Sequence, residues 1–208
     1  MISPTGTCKT FDQGADGYVR AEGAVAIYLK PLRSAAADGS RIMGVITGSA
    51  VNHDGKTSGI VAPNRHQQVE VIRAAQAAAG VDQSMIGFVE AHGTGTQLGD
   101  SIELSALSDV FQGSRAQPCY VGSVKSNLGH LEPVSGLAGL IKTLKCFEQE
   151  TIPAQAHLTK PMKAATRDGA RIIVPMESVP WPRGTVPRIA GVSSFGFGGA
   201  NAHIIITE

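Results

Sequence analysis

A strand-to-helix turn in the middle of the chain carries three titratable side chains. In the stretch 120–136 a short apolar run stops at Lys125, and His130 and Glu132 follow just ahead of a helical pattern. Turns commonly contain Gly, Asn or Ser, all of which are present, but they have no structural need for a Lys and a His beside the same opening. These residues alone leave two interpretations open, a functional site and a loop that happens to be charged.

His92 is a second candidate for the same chemistry, because it directly follows another predicted strand. An imidazole can donate a hydrogen bond to an oxygen that gains negative charge, and two such donors, His92 and His130, would stabilise an enolate or a tetrahedral intermediate. Lys125 can add positive potential, and we expect Glu132 to pair with it and keep a partly buried ammonium group charged. The alternatives are a turn histidine at His92 and a solvated Lys125–Glu132 pair that contributes almost nothing.

Two further loops have compositions that suit a ligand. Thr94 and Thr96 alternate with glycines, so a ligand can approach closely, and their hydroxyls suit the amides of an extended polar chain better than a phosphate. Phe195 and Phe197, in the Gly-rich loop 195–201, supply apolar bulk on a flexible hinge that can gate a pocket. For the glycines, the alternative is ordinary turn geometry.

Metal and nucleotide sites are not expected from the spacing. No two histidines stand four residues apart, and the others occur in unrelated segments, at His53, His66, His157 and His203. The sequence GKT at 55–57 is similar to part of a phosphate loop, but Ala50 stands where that motif needs Gly, and Pro63 delays the helix. Cys8, Cys119 and Cys146 form no C-x-x-C pair, and we expect them to be small buried hydrophobic residues.

Hydrophobic periodicity predicts alternating strands and helices. We expect a strand at 24–32, a small-residue connection at 34–40, a buried strand at 42–51, and further strands at 86–91, 120–124, 189–194 and 202–207, with one short strand, 171–174, inside the Pro-rich connection 151–184. Helices are predicted at 65–79, 101–111 and 134–149, the first capped by Asn64 and ended by Gly80.

From residue 42 onward this order predicts a mainly parallel sheet with right-handed crossovers that ends in an antiparallel hairpin. Ligands of such sheets bind beyond the carboxyl ends of the strands. The loops that carry His92, Lys125 with His130, and Phe195 all follow strands, so we expect them to converge there. Convergence of three loops favours a functional site over a charged turn.

Composition excludes several function classes. The 208 residues are 42% hydrophobic, the formal net charge is +1, and there is no run of like charge, so binding to nucleic acid or to an acidic membrane through a basic face is not expected. The chain also has neither a signal-like N-terminus nor an apolar run near the roughly 18 to 20 residues that span a bilayer. We therefore expect a cytoplasmic protein.

Five segments together resemble a known family. In chain order they are FDQGADGYVRAEG, GIVAPN, EAHGTGTQLGD, VKSNLGHLEP and SSFGFGGANAH, and as a set they are similar to the β-ketoacyl synthase (ketosynthase) domain of modular polyketide synthases and fatty acid synthases. The resemblance covers nearly the whole chain. It implies a thiolase-like α/β fold of two similar stacked halves, with 1–33 as the tail end of the N-terminal half and 34–208 as the C-terminal βαβαβαββ half.

The resemblance implies a decarboxylative Claisen condensation in polyketide or fatty acid biosynthesis. An acyl group waits as a thioester on a cysteine, while a malonyl-type extender on an acyl carrier protein loses carbon dioxide and attacks it. By this likeness His92 and His130 would bind the extender carbonyl and stabilise its enolate. Lys125 would be the active-site lysine, with Glu132 as its partner.

The same resemblance assigns the remaining loops to the carrier. Thr94 and Thr96 would contact its phosphopantetheine arm, Phe197 would be the gating aromatic, and Phe195 would lie beside it in the same loop. No cofactor is expected to bind directly. The acyl carrier protein and the N-terminal half of the ketosynthase would be the partners, and the full domain would be a homodimer.

One feature of the family has no counterpart in the sequence. The nucleophile of ketosynthases lies in a Thr-Ala-Cys-Ser-Ser-like segment, and Cys8, immediately before FDQGADG, does not match it. The resemblance therefore implies an acyltransferase site that this chain alone cannot complete, and a half-fold with a bare, apolar sheet face. The alternatives are a non-catalytic partner comparable to chain-length factors and a carrier-docking module. A thiolase would need a second cysteine near 193–199, where there is none.

Overall fold

The computed structural model describes residues 1–57, 59, 62–113, 117–163 and 171–208. Positions 60 and 61 of the GIVAPN segment and part of the connection 151–184 lie outside the described residues. The helices are α1 Leu32–Ala37, α2 Arg65–Ala79, α3 Gln97–Val110, α4 Lys125–Leu128 and α5 Ser135–Glu148. The strands are β1 Val45–His53, β2 Ile86–Glu90, β3 Cys119–Gly122, β4 Thr151–Ile152, β5 Ile172–Ile173, β6 Val179–Pro180, β7 Ile189–Phe195 and β8 Ala200–Thr207.

Six strands form the central sheet, in the order β1-β8-β7-β2-β3-β5. The pairs β7/β2, β2/β3 and β3/β5 are parallel, whereas β8 pairs antiparallel with both β7 and β1. The predicted mixed α/β class, with a mainly parallel sheet and a terminal antiparallel hairpin, is therefore confirmed. Strands β4 and β6, which were not predicted, form a separate antiparallel pair within the Pro-rich connection.

Helices cover both faces of the sheet, and each face has its own apolar core. Two neighbouring side chains of β2 lie on opposite faces, as period-2 geometry requires: Val89 packs with residues of α2 and α3, and Phe88 packs with α5. The expected bare sheet face is thus wrong, because α5 lies against β7 and β2. Exposed apolar side chains occur elsewhere on the molecule, among them Val51 of edge strand β1, which is 80% exposed.

Helix α2 forms as its sequence predicts. The Asn64 side chain accepts hydrogen bonds from the backbone N–H groups of His66 and Gln67, and Gly80 takes the left-handed conformation that ends the helix. The helix packs closely on β1, since a Cβ on Gly48 would lie 2.4 Å from the Ala75 carbonyl oxygen. Both caps are local interactions, which explains why the sequence alone located them.

Two predictions for the N-terminal region are wrong, and a third is wrong in part. Residues 24–32 form no strand, and Tyr28 there is 87% exposed, because the described part of the chain offers no neighbouring strand to pair with this segment. The predicted connection 34–40 instead contains most of helix α1. The strand at 42–51 does exist as β1, but it lies at the sheet edge and is not buried.

Helix α3 begins four residues before the predicted position. Its N-cap is Thr96, and the loop before it is held against the helix by buried carboxyl groups of α3 itself. In the described residues, no helix combines the length and the apolar character needed to cross a membrane.

Candidate active site

The loops that follow β2, β3 and β7 meet at one edge of the sheet, as predicted. The His92 ring lies 5.5 Å from the His130 ring and 5.6 Å from the Phe195 ring, measured between centroids. A cavity of about 1080 Å³ opens here, and its lining includes His92, His130, Thr94, Thr96, Phe195 and Phe197. Three segments distant in sequence therefore share one ligand-sized space.

Two hydrogen bonds to Glu103 hold the His92 loop. The backbone N–H groups of His92 and Gly93 donate to the two carboxylate oxygens of Glu103, at 2.7 and 2.8 Å. The imidazole Nδ1 of His92 accepts a hydrogen bond from the backbone N–H of Phe195, at 3.3 Å. Because Nδ1 is an acceptor, the neutral ring carries its proton on Nε2, which is left to donate to a ligand.

His130 is held by the same kind of contact. Its Nδ1 accepts the backbone N–H of Glu132 at 2.9 Å, and its own backbone N–H donates to the Val19 carbonyl at 2.7 Å. Glu132 has a positive φ of 51°, a strained conformation for a non-glycine residue, in the turn that presents its N–H to the imidazole. His130 therefore also carries its proton on Nε2.

The electrostatic surroundings keep both imidazoles neutral. Burial, followed by the positive charge of Lys125, lowers the pKa of His130 to about 4. The same two causes, with His130 as a third, hold the pKa of His92 well below its ordinary value of 6.5. Two neutral Nε2–H donors in one cavity can stabilise an oxygen that becomes negative, as the sequence predicts.

Lys125 lies in the one-turn helix α4, is 3% exposed and does not line the cavity. Burial lowers the pKa of its ammonium group, and this effect is opposed by the nearby carboxyl groups of Glu90, Glu103 and Asp100. Burial raises the pKa of Asp100 to about 7. Lys125 therefore lies among buried acids that favour its cationic form, and in that form it lowers the pKa of both histidines.

The predicted Lys125–Glu132 pair is wrong. Glu132 binds Arg20 in a bidentate ion pair, with Arg20 Nε and Nη2 donating to its two oxygens at 2.7 and 3.2 Å. Arg20 itself pairs with His130 in a parallel β-bridge, so its side chain reaches Glu132 at the partly exposed rim, whereas Lys125 is buried away from Glu132. Glu132 thus contributes to the site through its backbone N–H.

The cavity rim holds the other predicted residues. The hydroxyl oxygens of Thr94 and Thr96 lie 3.0 Å apart. Gly95 between them has a positive φ of 80°, and a Cβ there would lie 2.9 Å from a backbone oxygen, so only glycine fits. Phe197 is 62% exposed at the tip of the β7–β8 turn, whereas Phe195 packs against His92. Their predicted roles in carrier binding and gating stay predictions.

Cys8 is buried, and its thiol donates to the Thr94 carbonyl oxygen at 3.1 Å. Burial raises the pKa of this thiol, which disfavours a nucleophilic thiolate. Cys8 therefore packs beneath the Thr94 loop, in agreement with the sequence interpretation.

Comparison with known proteins identifies the family. The model of the beta-ketoacyl synthase C-terminal domain matches residues 43–159, which is more than half of the chain. The chain belongs to the β-ketoacyl synthase family. The N-terminal domain model of the same family matches residues 1–35, and the ketoacyl-synthetase C-terminal extension matches residues 163–208.

The similar proteins are ketosynthase domains and the polyketide synthases that contain such domains. The chain is 45% identical over its whole length to a phenolphthiocerol/phthiocerol polyketide synthase polypeptide of Mycobacterium tuberculosis, of which it spans 14%. It superposes on the ketosynthase from module 6 of the Bacillus subtilis 168 bacillaene synthase with a TM-score of 0.96 and 45% identity, and on a Streptomyces albus oxazolomycin ketosynthase domain with a TM-score of 0.94 and 39% identity. It covers 38% and 37% of those solved chains, so it is part of a ketosynthase domain and has the thiolase-like fold.

Two buried acids of this ketosynthase site were missed in the sequence. Asp100 accepts the backbone N–H groups of Phe11 and Gly95, and Glu103 accepts those of the His92 loop. A signal was available, because Asp100 and Glu103 stand three residues apart at the start of a predicted helix, next to apolar Leu104 and Leu107. Acids on an apolar helix face indicate buried partners.

Proposed function

We propose that this part of the ketosynthase forms the extender site of a β-ketoacyl synthase. The full enzyme would join an acyl thioester to a malonyl-type extender, carried by an acyl carrier protein, through a decarboxylative Claisen condensation. The observation that carries the proposal is the pair of neutral imidazoles, His92 and His130, whose Nδ1 atoms both accept backbone N–H groups and whose Nε2–H groups are left for the ligand.

The reaction follows from this arrangement. The bond between the α-carbon and the carboxylate of the extender breaks, carbon dioxide leaves, and the electron pair of that bond forms an enolate whose oxygen was the thioester carbonyl. His92 and His130 donate to that oxygen as it becomes negative. The α-carbon then attacks the carbonyl carbon of the acyl thioester, a carbon–carbon bond forms, and the cysteine thiolate leaves.

Lys125 and the threonines have supporting roles in this proposal. The positive field of Lys125 keeps the histidines neutral and stabilises negative charge that develops in the cavity. Thr94 and Thr96, at the cavity rim, would contact the amides of the phosphopantetheine arm, and Phe197 at the exposed turn would gate access. The carrier itself would remain the substrate, with no cofactor bound to this chain.

We further propose that the isolated chain does not condense substrates. Its sequence has no Thr-Ala-Cys segment, and Cys8 is a buried thiol with a raised pKa. The nucleophile would come from the rest of the ketosynthase, of which residues 1–33 would be the end of the N-terminal half, and the assembled domain would be a cytoplasmic homodimer. The match of the N-terminal domain model to residues 1–35 supports this division.

A comparison of four proteins tests the proposed function. The full ketosynthase domain that contains this chain, its His92→Ala and His130→Ala variants, and the isolated chain are each mixed with malonyl-loaded carrier protein and an acyl donor. We expect carbon dioxide release and a β-ketoacyl product only from the unaltered full domain, with a loss of about 100-fold or more in each variant. Undiminished decarboxylation by both variants would refute the assignment, and product from the isolated chain would refute its inactivity.

A further inference from the structure

Gln155 is a buried amide beside the turn that carries Lys125. It lies just after β4, in the long connection, and is 5% exposed. Its Oε1 accepts the backbone N–H of Ser123 at 2.8 Å, and its Nε2 donates to the Ser126 hydroxyl at 2.5 Å and to the Ser123 carbonyl at 3.3 Å. Donor and acceptor of one side chain are therefore both used on a single turn.

The two contacted serines stand on either side of Lys125. Ser123 directly follows β3, and Ser126 lies within α4, so the amide of Gln155 fixes how α4 is oriented relative to β3. The Ser123 hydroxyl also donates to the carbonyl oxygen of Gly93, at 3.1 Å. Through Ser123, the contacts of Gln155 extend to the loop that carries His92.

We propose that Gln155 is a positioning residue of the ketosynthase site, which sets the placement of Lys125 relative to His92. This inference rests on the proposed function, because it concerns the step for which Lys125 and His92 are aligned. A glutamine suits the position, since its amide is an acceptor and a double donor at once, whereas a glutamate only accepts and a methionine does neither.

The turn retains other supports if Gln155 is lost. Glu90 accepts the backbone N–H of Val124 at 2.6 Å, and α4 closes its own hydrogen bonds from Leu128 to Val124 and from Gly129 to Lys125. The helix bonds act within the turn, and the Glu90 bond ties the turn to the end of β2, but none of them reaches Gly93 as the Ser123 hydroxyl does. The loss of Gln155 is therefore expected to affect the rate of the reaction more than the folding of the domain.

The test compares Gln155→Met with the unaltered protein in the full ketosynthase domain. We expect kcat for malonyl decarboxylation to fall by about 10- to 100-fold, the scale expected for a displacement near 1 Å in an aligned site. KM for the malonyl carrier and the rate of acyl transfer to the nucleophile should remain unchanged, because neither step needs the alignment of Lys125 with His92. Gln155→Glu, which keeps the acceptor for Ser123, should recover part of the lost kcat.

Gln149→Met is the matched control, because this exposed glutamine follows α5 at the end remote from the cavity and its substitution should change neither constant. A Gln155→Met variant with unaltered kcat, or one in which acyl transfer falls as far as decarboxylation, would overturn the inference.

If Gln155→Met does not fold, Ser126→Ala provides the test, since it removes only one hydrogen bond. A several-fold lower kcat supports the inference, and an unaltered kcat overturns it. Absence of turnover in the unaltered domain would overturn the proposed function, and this inference with it.

Discussion

Replacing Lys125 by methionine tests how the site keeps its histidines neutral. The substitution removes a buried cation that is the second cause, after burial, of the low pKa of His130. That pKa is about 4, against an ordinary 6.5, so the protein disfavours the charged ring by about 3 kcal/mol, at about 1.36 kcal/mol for each pKa unit. Because burial is the larger cause, the removal of Lys125 should abolish less than half of this free-energy penalty and should raise the pKa of His130 by about one.

The direction of the change is the same for both imidazoles. Lys125 also lowers the pKa of His92, so the variant should protonate both rings at a higher pH than the unaltered protein does. The acids should move in the same direction, because Lys125 lowers the pKa of Asp100 and Glu103, and its loss removes that effect. His130 of the variant should therefore gain a proton between about pH 4 and 6, where the unaltered ring is mostly neutral, and Asp100 should gain one above pH 7.

Nuclear magnetic resonance of histidine-labelled protein measures these values directly. The imidazole nitrogen shifts of the full ketosynthase domain are followed from about pH 3 to 8, with His92→Asn and His130→Asn variants used for assignment. The same spectra report the tautomer, and we expect the proton on Nε2 for both rings. Lys145→Met, which removes an exposed lysine of α5, is the control and should leave both titrations unchanged.

Two results would refute the reasoning. If the pKa of His130 in the unaltered protein lies near 6.5, burial and Lys125 do not act as described. If Lys125→Met lowers the pKa or leaves it unchanged, the lysine does not act on the histidines through its charge.

Three further substitutions have defined consequences for stability, each measured by denaturant unfolding of the full domain. Lys142→Met should lower the unfolding free energy by about 3 to 5 kcal/mol, because it leaves buried Glu90 without the cation that lies 2.7 Å away, and a second change of Glu90 to Gln should restore part of the loss. Gly191→Ala should lower the unfolding free energy by about 1 to 3 kcal/mol, since its Cβ would lie 2.6 Å from Nε2 of fully buried His203. An unchanged midpoint of denaturant unfolding would contradict this packing. Asn64→Ala should lower the unfolding free energy by about 1 kcal/mol, because it removes the N-cap of α2, whereas Asn64→Asp keeps a capping oxygen and should retain most of that stability.

The parts of the fold that the sequence predicted are those determined by neighbours in the chain. Asn64 and Gly80 set the ends of α2 through contacts within a few residues, so their types suffice to locate them. The strand-end positions of His92 and Lys125 follow from the alternation of elements, because the carboxyl ends of parallel strands meet at one edge. The convergence of the loops could therefore be predicted without knowing any side-chain contact.

The errors concern contacts with residues distant in sequence. Glu132 pairs with Arg20, which lies 112 positions earlier, and no local pattern could favour this partner over nearby Lys125. Residues 24–32 have the composition of a strand, but a strand also needs a neighbour, and composition does not show whether one is present. Gln155 was passed over because its connection is irregular, although it contacts both serines beside Lys125.

Neutral imidazoles suit the enolate better than charged ones would. An imidazolium is acidic enough to give its proton to the developing enolate oxygen, and the resulting enol is a weaker nucleophile, whereas a neutral Nε2–H stabilises the oxygen and leaves its electrons available for carbon–carbon bond formation. The site secures this state in three ways. Burial is the largest cause of the low pKa of both rings, the backbone N–H groups of Phe195 and Glu132 occupy the Nδ1 positions that a second proton would need, and Lys125 raises the free energy of a charged ring. A variant that removes only the charge of Lys125 should therefore keep its histidines mostly neutral at pH 7.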